Sequence, residues 1–229
     1  MPMKLMTGAA LAAAVLTGAT PAEAQSFQNL VTTFYDNEFR AHPIAATSIG
    51  VHDYDAEVDD LSRDGQAKDT ARLHTALDAL TAIDPATLSA GDPDDREMLI
   101  NSIRGTLLDV ETIRYWQKDP DVYVRSATSA VFSLVHRDFA PLADRLRSVI
   151  ARERQIPMLL ATGKANIEHP PRAFVEITIR NVAGSINFPK TGAPATFVAV
   201  EDQQLKHEFT ASNDSAIAAG QEALGDAPS

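Results

Sequence analysis

From residue 26 onward the apolar positions recur mostly every three or four residues, the spacing of one face of an α-helix. Phe27, Leu30, Val31, Phe34 and Tyr35 form the first stripe, and Ser26 stands where it could cap the helix. The helix is expected to end near Arg40, because the residue before Pro43 resists the α region. Residues 41–63 are crowded with Asp, Gly and small side chains and read as irregular. Helical spacing returns from Gln66 to Ile83 through Ala67, Leu73, Leu77 and Leu80. Asp92-Pro93 opens the clearest helix, with Asp92 expected as its cap and Pro93 suited to its first position. Its stripe runs through Ile100, Ile103, Leu107 and Val110 toward Ile113 and Trp116, and Asp119-Pro120 ends it.

The second half continues in the same way. A short helix is expected over Val122–Val135. Asp138 is expected to cap the next one, whose Leu142, Leu146, Val149 and Ile150 face inward. Pro157 should break that segment, and a further helix runs to about Asn166. His169-Pro170-Pro171 reads as an extended connector. Residues 174–182 fit two patterns. Val175, Ile177 and Ile179 alternate as in a strand, while Phe174, Ile177 or Thr178, Val182 and Ile186 fit a helix. The helix is favoured because its neighbours are helical and no strand partner is in view. Thr196–Val200 could be a short strand or a helix start, and Ala199–Ala223 reads as a weak, alanine-rich helix. The sum is an all-α, multi-helix array of roughly seven helices, without internal repeats.

The first 24 residues stand apart from this pattern. Lys4 precedes an apolar stretch from Met6 to Leu16, and Ala22-Glu23-Ala24 is a small-x-small cleavage site. This is the layout of a signal peptide, removed before Gln25. The apolar stretch is too short for a bilayer, which takes about 20 residues. Residues 25–229 are therefore expected as one unit in the periplasm or secreted, with no membrane contact after cleavage. A net charge of -11 without a basic stripe speaks against nucleic acid as a partner. With no cysteine, disulfides and thiolate zinc sites are excluded, so a metal would need His, Asp or Glu.

Motifs that could carry chemistry fall short on spacing. His207-Glu208 begins like a helical zinc site, but the position four residues after His207 holds Ala211. His136-Arg137-Asp138 and Lys190-Thr191-Gly192 lack the companion motifs of a kinase or a penicillin-binding enzyme. The densest polar segment is His42–Arg63, with Asp53, Asp55, Asp59 and Asp60 close to His42 and His52. Counted from Asp53, the glycine of a twelve-residue calcium loop would fall on Val58, so that geometry fails. The better reading is a rigid loop in which His52, Asp53, Tyr54, Asp55 and Asp60 bond neighbouring helices or line a cleft. No catalytic, cofactor-binding or metal-ligating residue is assigned.

In that segment, His42-Pro43, Ala46-Thr47, Gly50-Val51-His52-Asp53-Tyr54-Asp55 and Asp60-Leu61-Ser62 form an ordered signature. It resembles the opening of the bacterial domain of unknown function 885 family. The helix start at Asp94-Asp95, the arginine-rich helix around Arg145–Arg154, and the connector from Asn166 to Pro171 are similar too. The likeness spans about residues 26–190. It implies an exported, mostly helical protein more than twice this length, similar to carboxypeptidase Taq-like zinc peptidases. Such relatives carry a His-Glu-x-x-His motif beyond the point this chain reaches, and no residue here matches it. The expectation is the N-terminal helical portion of a zinc-dependent peptidase, itself without the zinc motif. A full-length relative would hold zinc and take a peptide substrate. The alternative is a non-catalytic helical binding or scaffold protein of the periplasm.

Overall fold

The computed structural model describes residues 21–185 and 187–225. Among the described residues there are nine helices of seven residues or more and no strand. They are α1 (Pro21–Ala41), α2 (Pro43–Ile49), α3 (Arg63–Thr81), α4 (Asp92–Leu107), α5 (Asp121–His136), α6 (Leu142–Glu153), α7 (Ile156–Asn166), α8 (Arg172–Ser185) and α9 (Gln203–Gly225). No described helix is long and apolar enough to cross a membrane. Most of the segment read as a signal peptide lies outside the described residues.

Two apolar cores organise the chain. α1, α3 and α4 enclose the first, built on Phe27, Phe34, Leu73, Leu80, Ile100 and Ile103. The second is larger: α5, α6, α7 and α9 pack around Tyr123, Leu134, Leu146, Val149, Leu159 and Phe209, with Ile44 of α2 at its edge. The stripes at i, i+3, i+4 and i+7 supply both cores. In residues 174–182 the buried side chains are Thr178 and Val182, four apart, while Ile177 and Ile179 are exposed. The helical pattern therefore prevails over the alternating one. Residues 193–200 form a short helical turn and a bend, with Phe197 and Val200 buried, and no strand.

Several local expectations are corrected. Residues 41–63 are not wholly irregular, because Pro43 starts α2 at the position proline favours. Gly50 ends it with φ 98°, a left-handed cap whose N–H reaches back to Ala46 and Thr47 carbonyls. Ser26 lies inside α1, since the helix extends upstream of it to Pro21. Asp92 is the first residue of α4 and not its cap; Gly91 at φ 95° precedes it. The Asp92 carboxylate accepts from Gln28 Nε2 at 3.1 Å. Asp138 does not cap α6, because Pro141 keeps the preceding residue out of the helix. It pairs instead with Arg145 at 2.7 Å.

The stripe running past Leu107 is not one straight helix. Leu108–Ile113 widens into a π-type turn, with Arg114 N–H reaching Asp109 O at 2.6 Å, and Arg114 stops it at φ 58°. His169 is likewise left-handed, at φ 49°, so the connector before the two prolines bends.

One close approach sets the spacing of α5 and α7. A β-carbon on Gly163 would lie 2.5 Å from the Tyr123 ring. Tyr123 itself is fixed, its hydroxyl donating to Trp116 O at 2.6 Å and accepting from Asn166 at 3.0 Å. Gly163→Ala should therefore cost about 1–3 kcal/mol through overpacking. Gly105, on an open face of α4 with nothing within 4 Å, provides the contrast. Gly105→Ala should gain up to about 1 kcal/mol from helix propensity. Urea denaturation of both variants measures the difference, and equal effects would refute this account of Gly163.

Candidate functional site

Three polar features are built on these helices: a buried arginine, a carboxylate cluster around His42, and a lone glutamate in an apolar groove.

Arg152 sits on the inward face of α6 and is fully buried. A guanidinium has five N–H donors and no acceptor, so burial is tolerable only where carbonyls and hydroxyls converge on it. They do. Arg152 donates to Ala130 O at 2.8 Å, Pro43 O at 3.0 Å, Thr47 Oγ1 at 2.6 Å and Tyr54 O at 3.3 Å. Burial pushes its pKa down, and the nearby charges of Asp55, Asp59 and Glu57 oppose this. Thr47, also fully buried, donates to Asp55 Oδ1 at 2.6 Å. His52 Nδ1 lies 3.0 Å from Asp55 Oδ2, and its ring stacks on Phe139 at 3.7 Å.

The residues singled out in the loop are therefore placed unevenly. Asp55 is buried and bonded; His52 and Tyr54 are half-buried around it. Asp53 and Asp60 are exposed, and Asp60 accepts from Ser62 N–H at 3.1 Å. Ser62 in turn caps α3, accepting from Gly65 N–H at 3.0 Å. A β-carbon on Gly65 would sit 2.1 Å from the Asp60 carbonyl oxygen, so glycine is needed there.

His42 lies beside this loop among three carboxylates. Its ring nitrogens are 3.5 Å from Asp59, 3.4 Å from Asp69 and 3.7 Å from Glu38. Burial would push its pKa down, but the Asp59 and Asp69 carboxylates outweigh this and raise it to about 10. The ring is thus a cation at neutral pH. Arg72 adds a second one, bound to Asp69 at 2.6 Å and Glu38 at 2.7 Å. Zinc here would need a neutral imidazole and would compete with His42 and Arg72 for these carboxylates. Among the described residues no group of three or more His, Cys, Asp or Glu is placed to hold a metal ion. His207 is exposed, and Glu208 pairs with Arg154 at 2.9 Å.

Glu153 follows Arg152 and is 1% exposed. Ser212 of α9 donates to its Oε2 at 2.5 Å, while Oε1 is buried without a hydrogen-bond partner. Desolvation pushes this carboxyl up to about 8, against the Ser212 hydrogen bond, which lowers it. Glu153 lines a cavity of about 60 Å³ among α5, α6, α7, α8 and α9. That cavity shares Val124, Leu160, Val182 and Ala223 with a larger groove of about 410 Å³. Neither Arg152 nor Glu153 was singled out from the sequence. The signal was present: Glu153 stands seven residues after Leu146 and four after Val149, where the stripe calls for an apolar side chain.

This chain belongs to the family of bacterial proteins of unknown function designated DUF885, which residues 43–226 match. Among solved structures it is similar to a protein assigned as a lipoprotein of unknown function from Shewanella oneidensis. The two share 24% identity and a TM-score of 0.80 over 87% of this chain, a likeness of fold. The chain covers 36% of that structure's chain. No curated protein matches it.

Two outcomes are expected from these sites. Arg152→Met should cost about 3–5 kcal/mol, because buried acceptors lose their donor. Arg147→Met, which breaks an exposed pair with Asp144, should cost about 0–1 kcal/mol. Glu153 has a folded pKa above its ordinary 4.5, so its contribution is full below pH 4.5 and is lost as pH rises through about 8. Glu153→Gln should thus gain stability relative to the parent between pH 5 and 8. Urea midpoints of both proteins across that range test this, and a constant difference would refute it.

Proposed function

We propose that this chain is the helical N-terminal portion of an exported zinc-dependent peptidase, forming a wall of its substrate cleft. The observation that carries the reading is the apolar groove among α5, α7, α8 and α9, on a chain that covers 36% of its structural neighbour. Grooves of this size and character are where ligands are held. The leader-like first 24 residues support export, and the neighbour's assignment as a lipoprotein is consistent with it. The zinc ligands and the general base would lie outside these 229 residues, since the sequence has no His-Glu-x-x-His and the carboxylates around His42 pair with His42 and Arg72. In this reading the chain's own residues orient a peptide and exclude water, and they perform no bond-breaking step.

A second reading has one observation in its favour: described residues of this chain alone line the groove. Such a groove suits a binding module of the periplasm.

The two readings separate on zinc and on the coding sequence. The purified chain is expected to hold no stoichiometric zinc by atomic absorption and to leave a peptide mixture uncleaved. An in-frame continuation past Ser229 that encodes His-Glu-x-x-His, and that restores both properties when expressed with the chain, supports the peptidase portion. Zinc retention with cleavage by the chain alone would overturn it. A stop codon followed by a stable zinc-free monomer would favour the binding module.

A further inference from the structure

The groove beside Glu153 has a chemical asymmetry that the peptidase reading does not use. Its larger part is walled by apolar side chains, among them Leu160, Ile167, Val175 and Ile179. Two hydroxyls in its walls are already committed to their own helices: Thr128 donates to Val124 O and Thr178 to Phe174 O, at 2.9 and 2.8 Å. At the inner end stands Glu153, with one oxygen held by Ser212 and the other buried without a partner. A buried acceptor with nothing to accept costs free energy, and a carboxylate costs more. What relieves that cost is a donor brought in by a ligand, best a cationic one. The 60 Å³ beside Glu153 exceeds the roughly 10–15 Å³ that one water needs, so a terminal group can enter. The outer 410 Å³ is in the range of small-molecule sites, about 300–1,000 Å³. Its apolar wall suits a hydrocarbon chain, with the exposed Lys164 and Glu222 also among its lining residues.

We propose that the α5–α7–α8–α9 groove binds an aliphatic primary ammonium, its hydrocarbon chain along α7 and α8 and its N–H donated to Glu153 Oε1. The net charge of -11 favours approach of a cation. The other ionisable groups lining the site are in the larger groove: Tyr123, Lys164 and Glu222. Burial pushes the Glu153 carboxyl up to about 8, which favours its protonated form in the free chain at pH 7, and an ammonium beside Oε1 favours the carboxylate instead. When the ammonium enters, the carboxyl O–H bond breaks, the proton passes to buffer, and an N–H···O⁻ hydrogen bond forms. The ammonium keeps its charge, so charge and protons balance. The inference stands apart from the peptidase reading, because it concerns residues of this chain alone.

The test is titration calorimetry of the purified chain with n-hexylamine at pH 7, in phosphate and in HEPES. Saturable one-to-one binding is expected, with close to one proton released, read from the difference in heat between the buffers. Glu153→Gln should weaken binding at least tenfold and abolish the proton release. Ala219→Trp, placed at the half-buried wall of the outer groove, should block hexylamine while leaving the urea midpoint unchanged. n-Hexanol, with the same chain and no charge, should bind at least tenfold more weakly. Absence of saturable hexylamine binding would overturn the proposal. So would hexanol binding as tightly as hexylamine, or an undiminished affinity in Glu153→Gln.

Discussion

A guanidinium removed from water has to recover its hydration from the protein, and at Arg152 that requirement joins α2, the loop after it, α5 and α6. Its partners are the carbonyl of the first residue of α2, a hydroxyl on α2, a carbonyl of α5 and a carbonyl of the loop after α2. Four stretches of chain up to about a hundred residues apart in sequence must therefore arrive together. Once they do, the hydroxyl of Thr47 carries the effect outward to Asp55, and Asp55 to the His52 ring lying on Phe139. The loop thus owes its order less to its own turn residues than to a charge it surrounds. A hydrophobic side chain at the same place would ask nothing of its surroundings, and the α2 region would lose its reason for one geometry.

Next to Arg152 on α6 the same helix buries Glu153, with fewer partners, although the Arg152 Nε is also buried without one. The arginine meets four acceptors; the glutamate meets one donor. Neighbouring positions on one turn thus divide the labour. One fixes the relation between the α2 loop and the larger core. The other leaves an unmet acceptor at the bottom of an apolar groove. Arg145, two turns earlier on the same face as Arg152, plays a third part by donating to Arg137 O at 2.6 Å and to carbonyls at the end of α5. It is a cation at a helix C-terminus, where the exposed carbonyls favour it.

The periodic stripes made most helices legible, because a core-facing helix must repeat its apolar residues every turn. Phe27 and Phe34, or Leu146, Val149 and Ile150, are buried as their spacing implies. Features set by tertiary contact were not legible. α2 is only seven residues long, too short for a stripe, and is held by Arg152 and by its left-handed Gly50 cap. Asp92 and Asp138 look like caps, yet the backbone of Gly91 and Pro141 decides those helix starts. The signature His42–Ser62 marked the family, but the role of Asp55 became clear only with Arg152 in place, a partner nearly a hundred residues away. Charged residues interrupting an apolar stripe were the readable sign of both Arg152 and Glu153.

The widened turn at Leu108–Ile113 redirects the chain between the two cores. An ordinary helix would have carried the chain straight on from α4 and away from α5. Accommodating one residue more per turn, and then reversing at Arg114, brings Trp116 back so that its indole donates to Val110 O at 3.1 Å. The Arg63 guanidinium lies 5.6 Å over that ring and pairs with Glu168, while the Trp116 carbonyl takes the Tyr123 hydroxyl. A defect in helical regularity therefore acts as a clasp: the end of one bundle is fastened to the start of the other through a single tryptophan.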